Sequence, residues 1–197
     1  MKDDIQLRYG TVAMLFHWVI AALLIANICL GLYFADLPSG PSKGELAQWH
    51  KSIGLTVLVL SLLRLAWRFT HTVPPLPTDM YWGLRAAARV THYLFYFLIV
   101  AIPLTGWIMV SASATGRPTV YFHMFNWPHI WFMADLPRQQ KVAIHDTLEN
   151  MHNVLAWSAI VLIPLHVAAA LYHQFIRRDE LLLRMLPYRR ARLETLP

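Results

Sequence analysis

Residues 151–176 contain no Asp, Glu, Lys or Arg, yet they include His152, His166 and His173. A helix of about 20 apolar residues is enough to cross a bilayer, so this run spans one comfortably. Charge-free runs of this length, repeated along the chain, are too long and too many for a soluble core. His152 and His166 stand ~21 Å apart at the helical rise of about 1.5 Å per residue. At roughly 100° per residue they differ by only about 40° around the axis. One face of this helix therefore presents two imidazoles, one toward each side of a membrane.

Three more stretches read the same way. Residues 12–34 lack formal charge and carry His17. Residues 50–69 are opened by Trp49 and His50, with Lys51, Arg64 and Arg68 near the ends where long side chains snorkel to the headgroups. Residues 90–110 carry His92 and Pro103. The chain is 57% hydrophobic and only 14% charged, a composition rare in a soluble domain of this length. The expected organisation is one domain over residues 1–197, with spans at about 12–34, 50–69, 90–110 and 151–176.

The connections have distinct characters. Pro38, Gly40 and Pro41 mark the loop over residues 35–48, and Pro74, Pro75 and Pro77 mark an extended connector. Residues 111–141 hold Tyr121, Phe122, Phe125, Trp127, Trp131 and Phe132, a composition suited to the membrane interface. A polar helical turn containing His145 is expected just before span four. Pro103 and Pro164 predict kinks. The single cysteine, Cys29, excludes an internal disulfide and cysteine-based zinc or iron–sulfur sites. The first apolar run is too long for a signal-peptide core and reads as a mature span.

Four spans put both termini on one side. That side holds Lys2, Arg8, Arg64, Arg68, Arg85, Arg89, Arg177, Arg178, Arg184, Arg189, Arg190 and Arg192, the last of these in a basic tail over residues 177–197. The other side holds Lys43, Lys51, Arg117, Arg138 and Lys141. The excess of basic residues predicts both termini in the cytoplasm. Because these residues flank apolar spans, the net charge of +6 reads as topology, with the bilayer as partner and no nucleic acid.

Topology gives each histidine a depth. His17 and His166 fall in the cytoplasmic half, and His50 and His152 near the outer end. Each pair comes from two helices, as a six-coordinate haem iron with two axial imidazoles requires. The fold class predicted is therefore all-α: a transmembrane four-helix bundle with two b haems in its core. Any one of these histidines could instead hydrogen-bond to a neighbouring helix, but four at matched depths are harder to explain as packing. A zinc site fits less well, because the four are split between two membrane sides without a carboxylate in the spans. His145 competes with His152 for the outer place but lies ~31 Å from His166 at helical rise, beside Asp146 and Glu149. His123 and His129 read as surface groups. For the haem propionates, Arg64, Arg68 and Arg89 are candidates inside, and Lys51 and Arg117 outside. Each also reads as an ordinary anchor.

Several motifs are similar to those of the bacterial cytochrome b561 family. They are Phe16, His17, Trp18; His50, Lys51, Ser52, Ile53, Gly54; Pro103, Leu104, Thr105, Gly106, Trp107; and His166 to His173, followed by Asp179 and by Leu183, Arg184, Met185, Leu186, Pro187. The resemblance covers nearly the whole chain. It implies a four-helix cytochrome of the bacterial inner membrane with two b haems, their axial ligands matching His17, His50, His152 and His166. Within the family it runs to the superoxide oxidases, implying an oxidoreductase that passes electrons from periplasmic superoxide to ubiquinone. It also implies His92 and His173 as the quinone site, though both also read as interfacial histidines. The alternative is a haem-bearing subunit that docks a separate dehydrogenase or cytochrome. The connection between spans three and four departs from the family pattern by its length, its aromatics and its extra His123, His129 and His145.

Overall fold

The computed structural model describes residues 8–77, 80–179 and 181–186. Lys2, Arg189, Arg190, Arg192 and the tail beyond residue 186, Pro187 included, lie outside the described residues. Four long helices carry the chain: α1 (Thr11–Ala35), α2 (Pro41–Thr70), α3 (Trp82–Ser111) and α4 (Arg138–Tyr172). All four are long and apolar enough to cross a membrane. α1 packs on α2, α2 on α3 and α3 on α4. The helices overrun the apolar stretches that mark them. α2 starts at Pro41, where proline's fixed φ suits a first helical position. α3 starts at Trp82 and α4 at Arg138. The loop expected over residues 35–48 therefore shrinks to the few residues before Pro41. His145 sits within a long polar extension of α4 rather than a single added turn. Apolar length measures the membrane, whereas the helix continues wherever its backbone stays bonded. Pro103 and Pro164 lie inside α3 and α4.

Ile20, Leu24, Val57 and Ile99 form a buried core at mid-height, continued by Leu98, Ile102 and Ala159. Outward-facing residues stay apolar, with Val154, Val161 and Leu165 all at least 60% exposed. That pattern suits lipid, which is as apolar as leucine.

The connection over residues 111–141, expected as an interfacial aromatic segment, contains strands that its sequence did not announce. β1 (Thr119–Tyr121) pairs antiparallel with β2 (Phe125–Trp127). Phe122 and His123 adopt positive φ, and the Met124 amide closes the turn on the Tyr121 carbonyl at 2.9 Å. That is the backbone a tight hairpin demands, usually supplied by Gly or Asn. The strands are held against α2. Ser52 Oγ donates to the Val120 carbonyl at 3.3 Å and accepts from the Phe122 amide at 3.0 Å. Thr56 Oγ1 meets the Tyr121 hydroxyl at 3.0 Å. This is the hairpin end of the bundle. The other is the terminus end, where the Tyr9 amide reaches the Arg184 carbonyl and Trp18 Nε1 donates to the Met185 carbonyl at 2.7 Å.

Candidate functional site

At the hairpin end, α2 and α4 bring His50 and His152 together, their ring centres 6.2 Å apart and inclined by 74°. Each ring is seated on the helix next to its own. His50 Nδ1 donates to the Asn27 carbonyl of α1 at 3.1 Å. His152 Nδ1 donates to the Ile102 carbonyl of α3 at 2.9 Å, with Thr105 Oγ1 at 3.2 Å. Four residues beyond each carbonyl stands a glycine. A Cβ on Gly31 would come within 3.0 Å of His50 Cε1, and one on Gly106 within 3.3 Å of His152 Cε1. The two seats are built alike: a carbonyl fixes the ring and a missing side chain one turn later admits it. With Nδ1 bonded in both rings, each Nε2 is the free nitrogen.

Around this pair the charge is positive. Lys51 and Arg117 line an open cleft of about 460 Å³ with Glu45, Gln48 and His123. His123 is exposed and 3.7 Å from Glu45. His129, expected at the surface, is instead half-buried, 3.3 Å from Thr119 Oγ1. Hairpin closure tucks it under. Burial first, and the Lys51 charge second, lower its pKa from the ordinary 6.5. His145 turns to Asp146 at 3.3 Å.

The terminus end gathers three imidazoles. His92 and His166 have ring centres 5.9 Å apart, and Phe95 meets His166 edge-on at 5.1 Å. His17 interacts electrostatically with both His166 and His92. His92 Nδ1 donates to the Ala88 carbonyl of its own helix at 2.7 Å. No hydrogen bond from the His17 or His166 ring is made among the described residues. Beside them, Arg64 and Arg68 stack on the Tyr96 ring at 5.7 and 5.4 Å. Arg68 also bonds to Tyr9. Burial raises the Tyr9 phenol above its ordinary pKa, and the Arg68 charge opposes this. Arg89 is exposed. His173 stands in a different network from His92, paired with Asp179.

A family model described as prokaryotic cytochrome b561 matches residues 8–188. The chain belongs to the prokaryotic cytochrome b561 family. It is 34% identical to cytochrome b561 homolog 2 of Escherichia coli K12 over 181 residues, 91% of each chain. It is 30% identical to cytochrome b562 of Cereibacter sphaeroides over 184 residues, 90% of this chain and 94% of that one. It is 27% identical to the probable superoxide oxidase CybB of Yersinia pestis over 187 residues, 93% of this chain and 98% of that one. Membership makes it a membrane electron-transfer protein of a haem b family.

The residues of this b561-family protein fit such a group. Two imidazoles on opposite sides of one metal, each at about 2.0 Å, place their ring centres roughly 6 Å apart. His50 and His152 have that separation, with seated Nδ1 atoms and free Nε2 atoms. The His92–His166 separation fits equally well, so the terminus end offers more imidazoles than the two that depth alone paired. Sequence reasoning named none of Asn27, Ile102, Gly31, Tyr9 or Tyr96 as parts of a site. A signal existed for the seats: Gly31 follows Asn27 by the same interval as Gly106 follows Ile102.

Proposed function

We propose that this protein carries electrons across the bacterial inner membrane through two b haems, from periplasmic superoxide to ubiquinone. Both termini face the cytoplasm, in keeping with the basic terminus end. The observation that carries the reading is the seated pair His50 and His152, set opposite a second imidazole cluster at the other end of the same four helices. His50 and His152 would hold the outer haem, and His17 and His166 the inner one. Haem held by these imidazole pairs would supply one-electron transfer rather than oxygen binding.

The chain's own residues do the rest. The carbonyls of Asn27 and Ile102 orient the outer imidazoles and fix their tautomer. Lys51 and Arg117 draw a small anion such as superoxide toward that end, and they serve the outer propionates. Arg64 and Arg68, braced on Tyr96, serve the inner ones. His92 and His173 supply hydrogen bonds and protons to quinone at the cytoplasmic end. The relative from Yersinia pestis, named as a probable superoxide oxidase, supports superoxide as donor. Trp131 and Phe132, 81% and 50% exposed at the hairpin end, favour a second reading. In it the protein is a haem-bearing subunit that docks a dehydrogenase or a cytochrome there.

A reduced-minus-oxidised spectrum with haem quantified per chain is the first test: two low-spin b haems are expected, and none refutes the reading. Under a superoxide flux, ubiquinone reduction should exceed the oxygen-only control. Equality would remove superoxide as donor. Co-purification with a redox protein at fixed stoichiometry would favour the docking subunit.

A further inference from the structure

We infer that Asp179 is a positioning residue that holds His173 as the proton donor to quinone. This assignment rests on the quinone reading above. It comes from an unusual local structure at the end of α4. There the α-helix widens into a π turn, His173–Arg177. π turns are rare and recur at functional sites. The chain then reverses through Arg178 at φ 55°, ψ 36°, a left-handed conformation uncommon for a residue with a Cβ. The reversal lets the Asp179 amide donate to the His173 carbonyl at 3.2 Å. It also brings Asp179 Oδ2 to 2.5 Å from His173 Nδ1. The other carboxylate oxygen accepts from the Leu181 amide at 3.4 Å.

The pair is distinct among the described histidines. His123 and His145 also approach carboxylates, but Glu45 and Asp146 there are more than 60% exposed. His173 and Asp179 are 15% and 17% exposed. A helix can be ended without shielding a carboxylate from water, and a carboxylate so shielded is costly unless it is paired. His50 and His152 give Nδ1 to neutral carbonyls, which fix a ring without compensating a positive charge. A carboxylate fixes the ring and also places a compensating negative charge beside it. It leaves Nε2–H as the proton to be given.

The overall change balances as two superoxide anions, one ubiquinone and two protons giving two dioxygen molecules and one ubiquinol. Each superoxide loses one electron, and the quinone gains both. As the His173 Nε2–H bond breaks, an O–H bond forms at a quinone carbonyl oxygen. The neutral imidazole, still held by Asp179, takes its next proton from water at the terminus end and delivers the second.

The test uses the full haem-loaded protein in detergent, with Asp179→Asn beside the wild type. After reduction, the haem is reoxidised either by ferricyanide, which takes an electron without a proton, or by a short-chain ubiquinone. The variant should keep its haem content and its ferricyanide rate. Its kcat with quinone should fall about tenfold or more, with KM little changed, and Asp179→Glu should restore part of the loss. His173→Gln, which leaves Asp179 in place, should show the same split and carries the test if Asp179→Asn loses haem. Equal losses with both acceptors would mark a structural role and overturn the assignment. So would an Asp179→Asn protein as fast with quinone as the wild type. A wild type that passes no electrons to quinone would overturn the assignment together with the reading beneath it.

Discussion

At the hairpin end two imidazoles meet, and each is pinned by a carbonyl and a glycine on the adjacent helix. At the terminus end three imidazoles gather. There the rings of His17 and His166 have no such seat among the described residues, but two guanidiniums stand close by on Tyr96. The first end is specified by backbone and by close approach, the second by charge. The difference teaches that ring orientation and charge compensation are separable demands on a redox site. It also predicts that the two ends respond to different kinds of substitution.

If the proposed two-haem reading holds, the largest effect should come from removing one of the four imidazoles assigned to the haems. His152→Ala should take haem per chain from two to one, measured by pyridine haemochrome assay against protein concentration, and leave the terminus-end spectrum intact. His166→Ala should do the reverse. Loss of both haems from either variant would show that the two ends are not independent. The crowded end adds a sharper question, since His92 stands as near His166 as a ligand would. His17→Ala should lose the terminus-end haem and His92→Ala should keep it. The opposite result would place His92 across the iron from His166.

Charge comes next. Arg64→Met should lower the reduction potential of the terminus-end haem by on the order of 50 mV, because a nearby cation favours the electron-rich state. The hairpin-end haem should stay within error in the same redox titration. A smaller effect is expected for Gly31→Ala. Its Cβ would press on His50 at 3.0 Å, and overpacking of this kind costs about 1–3 kcal/mol. The better helix propensity of alanine returns about 1 kcal/mol. A modest fall in Tm with an altered hairpin-end haem spectrum is the expected outcome. Gly106→Ala, at 3.3 Å, should be nearly neutral.

The smallest effect is a pH dependence confined to the hairpin end. His129 has a lowered pKa in the fold, so the unfolded chain binds its proton more readily. Its contribution to stability is present above the unfolded value of 6.5 and is lost as pH falls through the folded value. His129→Gln should flatten the decline of Tm below pH 6.5 relative to the wild type. An unchanged slope would return His129 to the role of a surface group.

What the sequence determined by itself follows from solvent. Apolar runs in 12–34, 50–69, 90–110 and 151–176 can rest only in lipid, and backbone bonding in lipid demands helices. Helical rise then placed His17, His50, His152 and His166 at two depths before any packing was known. The helix starts at Pro41, Trp82 and Arg138 were not legible, because a helix end depends on local bonding and not on apolar length. Nor was the hairpin, whose turn puts Phe122 and His123 in conformations that sequence assigns to glycine. The seats were invisible for a related reason. Every residue has a carbonyl, so only the bundle could choose those of Asn27 and Ile102. Distance along α4 already favoured His152 over His145 as the partner of His50, whereas rotation of each helix about its axis decided that His92 joins His166. Periodicity measures position along and around one helix. Which faces of two helices touch is settled only when their side chains pack.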